Sequence, residues 1–185
     1  MALPLTFASK KLLETSLIGP DNMVHYTTTT TKSKSCSGRK LSTVTAASGV
    51  VGLINWRDKT FSLNGVVKRW DELKRKSAMA GMCHSDREWN WGPRPFNLKY
   101  HGNCSNKELL ATPLNGTPAD TVRFTTHRQH LLHDNERAVL YFPYHMQDEL
   151  ERMFLLLVVL WMDVERQDQD KEITGAAIDA STATI

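Results

Sequence analysis

Met153-Phe154-Leu155-Leu156-Leu157-Val158-Val159-Leu160-Trp161-Met162 is a run of ten consecutive apolar residues bracketed by charge. Asp148, Glu149, Glu151 and Arg152 precede it, and Asp163, Glu165 and Arg166 follow it. No Gly or Pro interrupts Gln147 to Gln169, so the segment reads as a helix. Ten helical residues rise ~15 Å, about half of a bilayer core, whereas a spanning helix needs ~20 apolar residues. A helix that is apolar all round yet too short for a membrane has to be enclosed by protein on every face. The remainder of the chain is therefore expected to wrap it.

Upstream of the helix the sequence is strand-like. His25-Tyr26-Thr27-Thr28-Thr29-Thr30-Thr31 is β-branched and aromatic, which favours a pleated strand. Leu41 to Ala47 is similar, with Leu41, Thr43 and Thr45 on one face. Val50 to Trp56 is an apolar strand that turns at Arg57-Asp58-Lys59 and returns through Thr60 to Leu63. Asn64-Gly65 is the strongest short turn signal, because both residues tolerate the positive φ of a type I′ turn, and Val66 to Trp70 pairs back across it. Asp71 is placed to cap a short helix over Glu72 to Lys76. Arg87 to Trp91, Phe96 to Tyr100, Leu109 to Leu114, Val122 to Thr126 and Ala138 to Tyr144 follow as further strands. Many short strands with Gly, Pro and Asn between them indicate a sandwich or barrel. The fold class is mainly β with one buried C-terminal helix.

Three segments follow from this. Residues 1–22 lack a sustained period and end at Gly19-Pro20-Asp21-Asn22, so they read as an N-terminal extension with a short helix around Lys10 to Leu17. Residues 23–172 form the domain, and the small, polar stretch 173–185 reads as a disordered tail. A chain of 185 residues with 41% hydrophobic and 23% charged side chains has ordinary globular composition and needs no disulfide or metal to fold. Its three cysteines, Cys36, Cys83 and Cys104, form no CxxC pair, and no apolar run follows Lys10-Lys11 as a signal peptide would require. A cytoplasmic setting is expected.

The order of Val50-Val51-Gly52-Leu53-Ile54-Asn55-Trp56, Val67 to Leu73, Arg87-Glu88-Trp89-Asn90-Trp91 with Phe96-Asn97-Leu98-Lys99-Tyr100, and the Gln147 to Arg166 helix resembles the tubby C-terminal-like superfamily. That superfamily contains tubby, phospholipid scramblases and plant LURP-one-related proteins. More specifically, the chain resembles an uncharacterised family of small proteins, a domain of unknown function from mushroom-forming fungi. The resemblance covers roughly Val24 to Glu172 and implies a closed β-barrel threaded by a hydrophobic helix. It implies no established activity and no cofactor. Members of that family often end the helix in basic residues, whereas here Asp163-Val164-Glu165-Arg166-Gln167-Asp168 follows.

Candidate chemistry is sparse. There is no GxSxG elbow, P-loop, GxGxxG or HExxH, so a non-enzymatic role is expected. Lys68, Arg69, Lys74, Arg75 and Lys76 flank Trp70 on a strand end and short helix, and are the strongest candidate ligand-binding residues. Such a cluster attracts anionic lipid headgroups at ~1 kcal/mol per cation; a solvated edge partly neutralised by Asp71 and Glu72 is the bland reading of the same residues. A protein partner is the other candidate contact. Nucleic acid is disfavoured: the pI is about 8.8, and residues 101–185 carry 13 acidic against 7 basic side chains, while 1–100 carry 7 against 16. His127, His130 and His133, with Asp134, are the basis of an alternative, a metal-dependent enzyme or metal-binding protein. On a strand, however, His130 would face away from the other two, and loop histidines explain the run more simply. Cys83-His84 is adjacent in sequence, which is no evidence of a catalytic pair. Trp56, Trp70, Trp89, Trp91 and Trp161 are better explained as core than as a stacking platform.

Overall fold

A computed structural model describes residues 2–32, 38–76, 87–101, 108–127 and 136–182, with the backbone alone for 76 and 170–182. The chain forms β1 (Ala2–Phe7), β2 (Thr15–Ile18), β3 (Val24–Lys32), β4 (Arg39–Ala46), β5 (Val51–Asn55), β6 (Thr60–Leu63) and β7 (Val66–Arg69). A single helical turn, α1 (Trp70–Leu73), leads to β8 (Lys74–Lys76), β9 (Arg87–Trp89), β10 (Phe96–His101), β11 (Glu108–Pro113), β12 (Val122–Thr125) and β13 (Val139–Pro143), and the long helix α2 (Glu149–Thr182) ends the fold. All thirteen strands belong to one sheet in the order β7-β6-β5-β4-β3-β2-β1-β13-β12-β11-β10-β9-β8, and every neighbouring pair is antiparallel.

The sheet encloses α2. From Met153 to Val164 every side chain of the helix is buried, including Trp161 and Met162 at the end of the apolar run. The inward faces of the strands alternate as a half-buried strand should: Leu5 and Phe7 in β1, Val44 and Ala46 in β4, Phe96 and Leu98 in β10, and Leu140 and Phe142 in β13 are all buried. Gly52 lets β5 lie close to the helix. A Cβ there would come 2.8 Å from Met153 Sδ and 2.9 Å from its Cγ. Asn64 and Gly65 adopt φ of 46° and 83°, the left-handed pair that the β6–β7 hairpin needs.

Four sequence expectations are corrected. Residues 1–22 are not an extension: β1 pairs with both β2 and β13 and so sits in the middle of the sheet. Its two strands are short, and the connection between them turns at Leu12-Leu13, where the Glu14 N–H donates to the Lys11 carbonyl at 2.9 Å, without Gly or Pro, so no period was sustained. The expected helix at Lys10 to Leu17 is a turn followed by β2, pinned where Thr28 Oγ1 accepts the Thr15 N–H at 2.9 Å. The expected helix over Glu72 to Lys76 is also displaced. Burial of Trp70 and Leu73, three apart, fixes the turn at 70–73, and Lys74–Lys76 extends to pair with β9. Finally, the helix continues to Thr182, across most of the segment 173–185 read as a disordered tail. Ala176, Ala177 and Ala180 favour helix, and one Gly175 costs only ~1 kcal/mol.

The ladder is open between β7 and β8. Twelve antiparallel pairings separate these two strands around the sheet, so they run in the same direction. Parallel neighbours need a crossover of a dozen or more residues, and the four residues of α1 cannot supply one. β8 instead continues the course of β7 after one helical turn. Side chains bridge the seam: Phe61 of β6 stacks on Trp89 of β9 at 5.8 Å, and Lys68 Nζ donates to the Trp91 carbonyl at 2.7 Å.

Candidate functional site at the sheet seam

The five cations singled out by sequence all fall on β7 and β8, the two edge strands. They are brought into one neighbourhood but do not form one patch. Lys68 pairs with buried Phe61 in register and so points inward, where its ammonium lies 4.8 Å from the centroid of the Trp91 ring. Lys74 projects over Trp161 of α2 at 4.9 Å. Both ammoniums therefore rest on aromatic faces, a favourable arrangement that leaves them less free for a ligand. Arg69 is exposed and its Nε donates to Asp71 Oδ1 at 3.2 Å. With both partners in water that pair holds its geometry weakly, although the bond from Arg69 holds the Asp71 carboxyl below the usual carboxylate range. Arg75 is exposed and stands opposite Glu88 in the β8–β9 register. Lys76 is opposite Arg87, and its side chain is outside the described residues.

Two cations at this site were missed in the sequence. The Lys74 ammonium is pushed below its ordinary pKa, first by loss of water and then by repulsion from Arg87 and Lys59, with Glu165 and Asp71 acting in opposition. Lys59 sits in the β5–β6 turn with φ of 54°, and its carbonyl accepts the Trp70 N–H at 3.0 Å, which places it beside α1. The β8–β9 pairing brings in Arg87. A hairpin reading of 74–89 would have found Arg87; nothing local in Arg57-Asp58-Lys59 points to α1.

The tryptophans form the floor of the seam. Trp70 and Trp89 each meet Trp161 edge-on at 5.2 Å, and Trp56 meets Trp70 at 6.1 Å. Trp91 packs on Phe154 at 5.8 Å. Trp70, Trp89 and Trp161 are buried, so they serve as core.

The histidine run is represented by His127 alone; residues 128–135, including His130, His133 and Asp134, lie outside the described residues, as do Cys36, Cys83, His84 and Cys104. The buried His127 Nε2 has no hydrogen-bond partner, and the residue lines a pocket of about 300 Å³ with Lys10, Leu12, Thr126, Asp163, Arg166 and Gln167. Asp163 is buried and satisfied there, accepting from Arg166 at 2.7 Å and Gln167 at 2.6 Å. Among the described residues no three His, Cys, Asp or Glu side chains converge as a metal site requires. A smaller pocket, about 180 Å³, lies beside the first turn of α2, where the Tyr26 hydroxyl donates to Glu149 at 2.6 Å. Burial, followed by the adjacent Glu149 carboxylate, pushes the Tyr26 phenol well above its usual pKa.

No helix among the described residues is long and apolar enough to cross a membrane. Compared with protein-family models, curated proteins and solved structures, the chain matches none.

Proposed function

We propose that the chain is a non-catalytic, tubby-like domain that docks on an anionic lipid surface through the cations of its seam. The observation that carries this reading is the cation excess around α1: Arg69 and Arg75 are exposed, and Lys74 is crowded by Lys59 and Arg87. Crowded cations that repel one another gain from a polyanion brought among them. In the barrel interpretation β7 and β8 are two halves of one strand broken by α1, and the circuit around α2 closes through that interrupted strand. A cytoplasmic location fits, since cytoplasmic leaflets carry anionic lipids.

Lys68 and Lys74 are committed to tryptophan faces and Arg69 is held only weakly by Asp71 at the surface, so the attraction comes mainly from Arg69 and Arg75, at most about 2 kcal/mol at ~1 kcal/mol per cation. Co-sedimentation with phosphatidylcholine vesicles, with and without phosphatidylserine or phosphoinositides, tests this at low and physiological salt. Selective binding to anionic vesicles, weakened about tenfold or more in the Arg69→Ala/Arg75→Ala variant, is the expected result. Equal binding to neutral and anionic vesicles, or none at either salt, sinks the proposal. Stoichiometric zinc in the purified protein would instead support the alternative built on His127 to His133.

A further inference from the structure

Glu149 and Arg152 stand three residues apart at the start of α2 and so share one face of it. Both line the pocket of about 180 Å³, and both are half-buried. Opposite charges at that spacing can pair, yet among the described residues Arg152 forms no ion pair with any carboxylate. The Tyr26 hydroxyl, from a buried side chain of β3, donates to Glu149 Oε1 at 2.6 Å. The Arg152 guanidinium lies over Phe142 of β13, 5.9 Å from the ring centroid, and close enough to Tyr26 to oppose the rise in its phenol pKa. The Nε of Arg152 is buried and has no acceptor. A buried donor left unpaired is costly and uncommon, and one that borders a cavity points to an acceptor from outside the chain. His25, also in the lining, lies 3.2 Å from Asp21.

Size and charge narrow the occupant. The pocket has several times the room that one water needs, and less than the ~300 Å³ at which sites for drug-sized ligands begin. Leu3 of β1, Ala46 of β4 and Ala47 of the following turn give it an apolar wall with little depth for a long side chain. A simple anion drawn to Arg152 would be repelled by Glu149, and a simple cation drawn to Glu149 would be repelled by Arg152. A small molecule that carries both charges on neighbouring atoms meets each residue with the opposite sign. The planar fork of arginine matches a carboxylate in two parallel hydrogen bonds. Glu149 Oε2, the oxygen that Tyr26 does not hold, is left for an ammonium.

We propose that this pocket binds a small α-amino acid. Arg152 takes the carboxylate, Glu149 takes the ammonium, and a short side chain rests against Leu3, Ala46 and Ala47. Tyr26 is a positioning residue, fixing the Glu149 carboxylate from the sheet. The site shares no residue with the seam cations, and the inference does not rest on the lipid reading.

Isothermal titration calorimetry of the full chain with L-alanine, acetate and methylammonium reads the two charges separately, since acetate carries only the carboxylate and methylammonium only the cation. L-alanine is expected to bind wild type with a Kd of ~1 mM or tighter, within reach of a ligand of about six heavy atoms. Its affinity should exceed that of acetate or methylammonium by about tenfold or more. Glu149→Gln and Arg152→Lys should each weaken L-alanine by about tenfold or more, while Glu149→Gln binds acetate no more weakly than wild type does. Both side chains are only half-buried, and unchanged circular dichroism establishes that the variants fold; the wild-type comparison of the three ligands needs no variant. No binding of L-alanine by wild type at about 100 mM, a hundredfold above the expected Kd, overturns the proposal. Equal affinity for acetate and L-alanine refutes the amino acid as the ligand class. Wild-type affinity for L-alanine in both variants puts the binding elsewhere and refutes this site.

Discussion

The placement of α2 inside the sheet can be tested at Gly52. A methyl group there would sit 2.8 Å from Met153 Sδ and 3.1 Å from Leu157 Cδ1, so Gly52→Ala overpacks the contact between β5 and the helix. Overpacking costs about 1–3 kcal/mol, and the softness of a methionine side chain favours the lower half of that range. Replacing Gly within a strand also recovers some 0.5–1 kcal/mol of backbone entropy. The net expectation for Gly52→Ala is destabilisation by about 1 kcal/mol. Met153→Ala alone removes a fully buried side chain and is expected to cost about 2–4 kcal/mol. The double variant is the decisive measurement, because the new methyl then occupies space that Met153 has vacated. Its cost should be less than the sum of the single costs by about 1–2 kcal/mol. Urea unfolding followed by tryptophan fluorescence reads all four corners of the cycle. Additivity within about 0.5 kcal/mol, the behaviour of sites that do not touch, would show that Gly52 and Met153 are not packed together.

Two further outcomes follow from the same structure. Leu156→Asp puts an unpaired carboxylate where the side chain is fully buried, and the protein should unfold or aggregate; a folded, monomeric product by size-exclusion chromatography and circular dichroism would contradict the enclosed helix. Asp120 is held below the usual carboxylate range, chiefly by the Thr117 N–H at 2.7 Å, with His145 and Arg94 adding to it. A carboxylate with a depressed folded-state pKa contributes stability that is complete above the unfolded value of about 3.9 and lost as pH falls through the folded one. Asp120→Asn should therefore lower the urea midpoint at neutral pH and flatten its decline below pH ~4; parallel pH profiles for variant and wild type would count against this role.

The parts of the fold that were legible in the sequence are those with a local signature. Ten apolar residues without Gly or Pro announced α2, and Asn64-Gly65 announced the hairpin that its positive φ angles bear out. β1 and β2 were not legible because their pairing partners are remote: β1 is completed by β13, more than 130 residues later. β8 was misread because Lys-Arg-Lys suits a helix, and only its pairing opposite Trp89 makes it a strand. The candidate site divides the same way. A run of cations is visible in sequence, but that Lys74 lies on Trp161 and Lys68 on Trp91 depends on where a distant helix and a loop come to rest.

The helix that fills the sheet has a consequence for synthesis. All thirteen strands, through Pro143, leave the ribosome before Met153 to Val164, the residues that occupy their interior. Until Val164 emerges, the inward-facing Leu, Phe and Trp side chains of the strands have nothing native to cover them. The nascent chain must remain unassembled or shielded until those residues follow, and their arrival decides whether it folds. A premature stop between Pro143 and Met153 releases the full set of strands without their centre, a product destined for chaperones or proteolysis rather than partial function.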